Sequence, residues 1–130
     1  MSQLELLIQL KNQLIIFFDE LIEQFPKEPD MIIIRIFLKD KIPIVDVMDY
    51  IVKKLVPLKS MVNVQDDNFF LHHNILFETL DENKVNHFKK LWLSRSLDEE
   101  NRVTIFKWFS SFIYLAERYN KLIVEARKRS

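Results

Sequence analysis

The chain has 130 residues, 48% of them apolar and 29% charged, with 19 acidic and 19 basic side chains and a formal net charge of zero. A chain of this length buries about two thirds of its extended surface on folding, so it can build a real core, and its composition fits neither the disordered nor the membrane class. Glycine and cysteine are both absent. This removes phosphate-cradling and dinucleotide-binding loops in their usual form, which need glycine where the backbone meets a pyrophosphate. It also removes disulfides, thiol nucleophiles and cysteine zinc sites, as in a protein of a reducing compartment.

No basic segment followed by a continuous apolar stretch opens the chain, and no apolar run approaches the roughly 18 residues of a spanning helix. The expectation is an intracellular protein outside the membrane. Residues 1–30 hold two lysines against six acids, whereas residues 101–130 hold seven bases against two acids. That polarity can draw the two ends together, within one subunit or between neighbours. Lacking glycine, the helix ends are expected to rely on asparagine, proline or solvent.

Leu4, Leu7, Ile8, Leu14, Ile15, Phe18, Leu21, Ile22 and Phe25 recur at steps of three and four, which predicts a first helix over residues 2–25 with these side chains inward. Ser2 and Glu5 match a capping box at its start, and Pro26 and Pro29 end it. Met31 to Leu38 is rich in β-branched residues, but no second strand-like run follows at hairpin spacing, so it reads as a helix with Asp30 as N-cap. Pro43 suits the first turn of a third helix reaching about Leu55, with Val47, Tyr50, Ile51 and Leu55 on one side and Asp46, Asp49 and Lys53 opposite. Pro57 breaks it, and a short helical turn follows through Val62. Asp66 or Asp67 then caps a segment carrying Phe69, Phe70, Leu76 and Phe77.

Thr79 with Glu82, and Ser96 with Glu99, match two further capping boxes. The first opens a helix to about Leu93, presenting Val85, Phe88, Leu91 and Trp92. The second opens a final helix from about Leu97 to Arg127, about 45 Å long. Ile105, Phe109, Phe112, Ala116, Tyr119, Ile123 and Ala126 form a heptad seam along it, and Trp108, Leu115 and Leu122 widen the apolar face beyond what a two-stranded coiled coil needs. The sequence therefore predicts an all-α, single-domain multi-helix bundle over residues 1–130, with the long C-terminal helix as its pillar.

Chemical signatures are sparse. His72 and His73 are adjacent and diverge by about 100 degrees on a helix, unlike an i, i+4 zinc pair, so neither they nor His87, Asp66 and Asp67 predict a metal. Asp66, Asp67, Asp98, Glu99 and Glu100 stand at predicted helix starts, where exposed amides favour acids. Ser94, Ser96, Ser110 and Ser111 lie in no nucleophile elbow. The reading is a non-enzymatic protein without a cofactor. Phe17, Phe18, Phe69, Phe70, Trp92 and Trp108 are the candidate interface anchors, because paired aromatics cannot all face one way on a helix packed on one side. A second candidate is a basic surface of Lys89, Lys90, Arg95, Arg118, Lys121, Arg127, Lys128 and Arg129, which would contact nucleic-acid phosphates.

The runs Phe17 to Pro26 (FFDELIEQFP), Phe37 to Tyr50 (FLKDKIPIVDVMDY), Phe69 to Phe77, Val85 to Trp92 (VNHFKKLW) and Phe106 to Tyr119 resemble a small, uncharacterised helical family of large nucleocytoplasmic DNA viruses. The abundance of isoleucine, lysine, asparagine and phenylalanine, with alanine present only twice, points to an AT-rich gene, of the kind carried by many parasites and by large DNA viruses. The resemblance implies a protein made in the infected cell, in host cytoplasm or virion. It implies a structural or scaffolding role, such as a minor capsid or virion assembly component, working through helix-face contacts with protein partners or with itself. The alternative is a nucleic-acid-binding or transcription accessory protein using the basic C-terminal helix.

Overall fold

The computed structural model describes residues 2–66 and 99–129, which are helical apart from short connections and contain no strand. Helix α1 spans Gln3–Gln24. Its first turn is closed by the predicted capping box: the Ser2 Oγ accepts from the Glu5 N–H at 3.1 Å, and the Glu5 carboxylate accepts from the Ser2 N–H at 3.5 Å. Two amides that a helix start leaves unpaired are thus satisfied. Phe25 caps the far end, its N–H reaching the Leu21 carbonyl at 2.8 Å, before the turn at Pro26.

Helix α2 spans Pro29–Ile36. Pro29 begins this helix rather than ending α1, because its missing N–H is harmless at the first helical position. Asp30 is accordingly inside the first turn and is not the N-cap; that position belongs to Glu28, which makes no side-chain cap bond. The isoleucine-rich run is helical as expected, and it runs on into a π-helical turn, Phe37–Lys41, closed by Ile42 N–H to the Phe37 carbonyl at 2.8 Å. Met31 and Leu38 are buried with Ile34 packed beside them, the i, i+3, i+7 pattern by which tertiary packing overrides a modest propensity.

Pro43 is the N-cap of α3, Ile44–Tyr50, one residue before the predicted position. A second π-helical turn, Ile51–Leu55, and a 3₁₀ turn at Val56–Leu58 containing Pro57 join α3 to the short α4, Lys59–Asn63. Val47, Ile51 and Leu55 face inward as predicted, joined by Met48, while Tyr50 is half-buried. Asp46, Asp49 and Lys53 are exposed.

Where α4 ends, the chain solves a problem that glycine normally solves. Gln65 has φ 54°, the one positive φ among the described residues. The Gln65 N–H reaches the Val62 carbonyl and the Asp66 N–H reaches the Met61 carbonyl, the paired bonds of a Schellman motif with Gln65 at its left-handed position. The expectation that asparagine, proline or solvent would end the helices is corrected here. A left-handed residue with a Cβ costs about 1 kcal/mol or more, so Gln65→Gly is expected to stabilise the protein by about 1 kcal/mol, read as a rise of about 4 °C in thermal midpoint.

The last helix, α5, spans Glu99–Arg129, 31 residues, or about 46 Å. The pairs Glu20–Trp108, Phe17–Phe109 and Gln13–Ser111 run in opposite order along the two helices, so α1 and α5 are antiparallel. They form the central pair; α2 and α3 pack on α1, and the Ile51–Leu55 turn and α4 pack on α5. The heptad seam thus closes on this same chain through Ile105, Phe109, Phe112, Ala116 and Tyr119, with Phe106, Ile113 and Leu115 also buried. It fades towards the end, where Ile123 is half-buried and Ala126 exposed.

The inward face of α1 differs from the sequence expectation. Leu6, Leu10 and Phe17 are buried, whereas Leu4 and Ile8, expected inside, are 65% and 52% exposed. The α5 and α3 contacts cover the stripe through Leu6, Leu10, Leu14, Phe17 and Leu21, and leave the flank carrying Leu4 and Ile8 open.

Candidate functional site

The hub of the α1–α5 pair is aromatic. The Phe17 ring lies 5.2 Å from Phe18, 5.6 Å from Phe112, 5.7 Å from Phe109 and 6.1 Å from Trp108, centroid to centroid, within the range of favourable edge and tilted pairs. Trp108 stacks on Phe112 and donates its indole N–H to a Glu20 carboxylate oxygen at 2.7 Å. Ser111 donates to the Gln13 side-chain oxygen at 2.7 Å. These two polar contacts fix the sliding register of two otherwise apolar faces.

Phe17 and Phe18 are 3% and 0% exposed, so the structure corrects their reading as interface anchors: both sides of the pair are satisfied within the chain, by α5 on one flank and the neighbouring helices on the other. Trp108 is half-buried and held by Glu20. Phe69, Phe70 and Trp92 lie outside the described residues, as do Lys89, Lys90 and Arg95.

The remaining basic candidates, Arg118, Lys121, Arg127, Lys128 and Arg129, are all exposed on α5. Arg118 sits 5.5 Å above the Tyr114 ring and donates to its hydroxyl at 3.2 Å. A helical period distributes the five around the axis, with Glu125 between them, and Glu117 pairs with Lys59 at 2.9 Å. They form a basic helix end and not a single continuous stripe.

Among the described residues every buried side chain is apolar or aromatic, and no three His, Cys, Asp or Glu residues converge as metal ligands. His72, His73, His87, Asp67, Ser94, Ser96 and Asp98 lie outside the described residues. Asp66 stands at the Schellman end of α4; Glu99 and Glu100 are exposed in the first turn of α5, where the helix dipole favours them. Ser110 is exposed, and Ser111 is occupied with Gln13. No helix of the described residues is long and apolar enough to cross a membrane.

The surface that sequence reasoning missed is the outer face of α2 and the corner after it. Ile32, Ile33, Ile36 and Phe37 are between 42% and 48% exposed, followed by Ile42 at 40% and Val45 at 42%. Ile32 with Ile36 and Ile33 with Phe37 are i, i+4 pairs, neighbours on the helix surface, and exposed Lys39, Asp40, Lys41, Asp46 and Asp49 follow along the same stretch. The signal was present: Met31 to Phe37 has only Arg35 as a polar residue, so a helix packed on one side must show apolar side chains on the other. Arg35 itself bridges back to Asp19 on α1.

Comparison with protein-family models, with characterised proteins and with solved structures finds no match to this chain.

Proposed function

We propose that this chain is a non-enzymatic structural or scaffolding protein that works by burying helical faces against protein partners, with the outer α2 face as its principal contact. The observation that carries the reading is the run of exposed Ile32, Ile33, Ile36 and Phe37, continued by Ile42 and Val45. A cluster of this kind beside mixed charges has the anatomy of a protein interface. The resemblance read from the sequence to small helical proteins of large DNA viruses is the sole ground on which we place that role in virion assembly or a minor capsid position.

The test is solution mass by light scattering over a concentration series, at about 0.15 M salt, where the Debye length is about 8 Å, on the wild type and on the double variant Ile36→Lys/Phe37→Lys. Both side chains are about half exposed, so the variant is expected to fold with stability changed by about 0.5 kcal/mol, while association weakens by about tenfold or more. Equal masses for the two proteins, both monomeric at 15.8 kDa, would remove α2 as a self-association surface.

The second reading, a nucleic-acid-binding accessory protein, draws on the exposure of all five bases of the α5 end. Its mark is duplex binding that falls steeply with salt, whereas an apolar contact changes little.

A further inference from the structure

The chain is neutral as a whole, but the fold sorts its charge lengthwise. At the end where α1 finishes and α5 begins stand Asp19, Glu20, Glu23, Glu28, Asp30, Glu99 and Glu100 against Lys27, Arg35, Arg102 and Lys107, a surplus of three negative charges on α1, α2 and α5. At the end where α1 begins and α5 finishes stand Lys11, Arg118, Lys121, Arg127, Lys128 and Arg129 against Glu5, Glu117 and Glu125, a surplus of three positive charges on α1 and α5. The antiparallel order of α1 and α5 produces this separation. Of the two arrangements the sequence left open, pairing within one subunit is present, since α1 and α5 lie side by side; the surplus left at each end is what remains for a neighbour. Glu99 and Arg127 are about 42 Å apart along α5, several times the Debye length of about 8 Å at physiological salt.

We infer that a second copy of this chain docks end to end, the acidic end of one molecule receiving the basic end of the next. Charge complementarity selects this occupant: on the described α1, α2 and α5 the surpluses are equal and opposite, so a copy satisfies both ends without another partner. The basic end also exposes Leu4, Ile8 and Val124, which give the contact apolar area beyond its ion pairs. Because donor and acceptor surfaces differ, the contact is heterologous and repeats from molecule to molecule, making a ring or an open filament according to the rotation at each joint. This inference rests on the assembling role proposed above and adds the partner and the surface.

The decisive experiment is a charge swap followed by light scattering. The acidic end is reversed with Glu23→Lys, Glu99→Lys and Glu100→Lys, and the basic end with Lys121→Glu, Lys128→Glu and Arg129→Glu; all six side chains are exposed. The wild type is expected to grow in mass with concentration at about 20 mM salt, and the association constant to fall by about tenfold or more at about 0.5 M salt as the charges are screened. Each reversed protein alone is expected to stay at 15.8 kDa, and an equimolar mixture of the two to regain mass, since one carries two basic ends and the other two acidic ends. Recovery on mixing also shows that both variants are folded. Association that survives high salt and both reversals but is lost in Ile36→Lys/Phe37→Lys would overturn the end-to-end contact and leave the scaffolding role standing. A wild type that stays monomeric at low salt to about millimolar concentration, above which an ordinary weak complex would form, would overturn it outright.

Discussion

Phe17→Ala is expected to remove about 4 kcal/mol of stability and lower the thermal midpoint by about 15 °C, measured by denaturant and thermal unfolding followed by circular dichroism. The loss is at the high end for a single residue because four rings meet this one: Phe18, Trp108, Phe109 and Phe112 all lie within 6.1 Å of it, centroid to centroid. Truncation removes the apolar transfer energy of the ring and leaves a cavity between α1 and α5 that two helices held by side contacts cannot fully close. Domains of this size hold only about 5 to 15 kcal/mol in total, so the variant sits near the threshold of unfolding. The same experiment separates two roles for the residue. A core residue loses stability on truncation, whereas an interface anchor would lose partner affinity and keep its unfolding midpoint. A change below about 1 kcal/mol, the range of ordinary surface sites, would contradict the packing of α1 on α5.

Ala116→Leu is the complementary expectation. Ala116 is fully buried on the α5 seam, and the register set by Phe17–Phe109 and Gln13–Ser111 brings it level with the turn of α1 that carries Leu7 and Leu10, which are themselves 9% and 0% exposed. A small residue there lets the two helices approach; three added carbons have no void to enter. The expected cost is about 2 kcal/mol from displaced side chains and backbone, seen in urea unfolding as a lower midpoint with an unchanged slope. Leucine is the better helix former of most residues and nearly equal to alanine, so propensity contributes little to the result and the packing term dominates. A neutral or stabilising outcome would mean that α1 and α5 stand further apart at this level.

The all-helical class, the capped start of α1, its stop before Pro26 and the long α5 were legible because each rests on local chemistry: a Ser-x-x-Glu pair, a missing amide, a run of threes and fours. The orientation of α1 was less legible because it carries two overlapping apolar lines, one through Leu4, Ile8, Ile15 and Ile22 and one through Leu6, Leu10, Phe17 and Leu21. Periodicity alone does not choose between them; the docking of α5 does. Gln65 carried no sign of its left-handed role, since that role belongs to a conformation and not to a residue type. Of the candidate site, the exposed α5 bases stood where the sequence put them, while Phe17 joined Phe18, already on the predicted inward face, in the core once a second helix occupied the flank that sequence reading left open. The outer α2 face was readable only by asking what a nearly uninterrupted apolar run leaves outside.

The core described here contains no buried polar side chain to dictate which apolar residue stands opposite which; Trp108–Glu20 and Ser111–Gln13, at its margin, set the alignment of the two main helices. Such a core constrains descent loosely. Leucine, isoleucine, methionine and phenylalanine can trade places over generations so long as total volume and helical spacing persist, and lineages carrying this architecture are free to lose letter-by-letter likeness while keeping the shape. What inheritance must preserve is a rhythm of apolar steps, a small residue near the middle of α5 and two polar pins at its side.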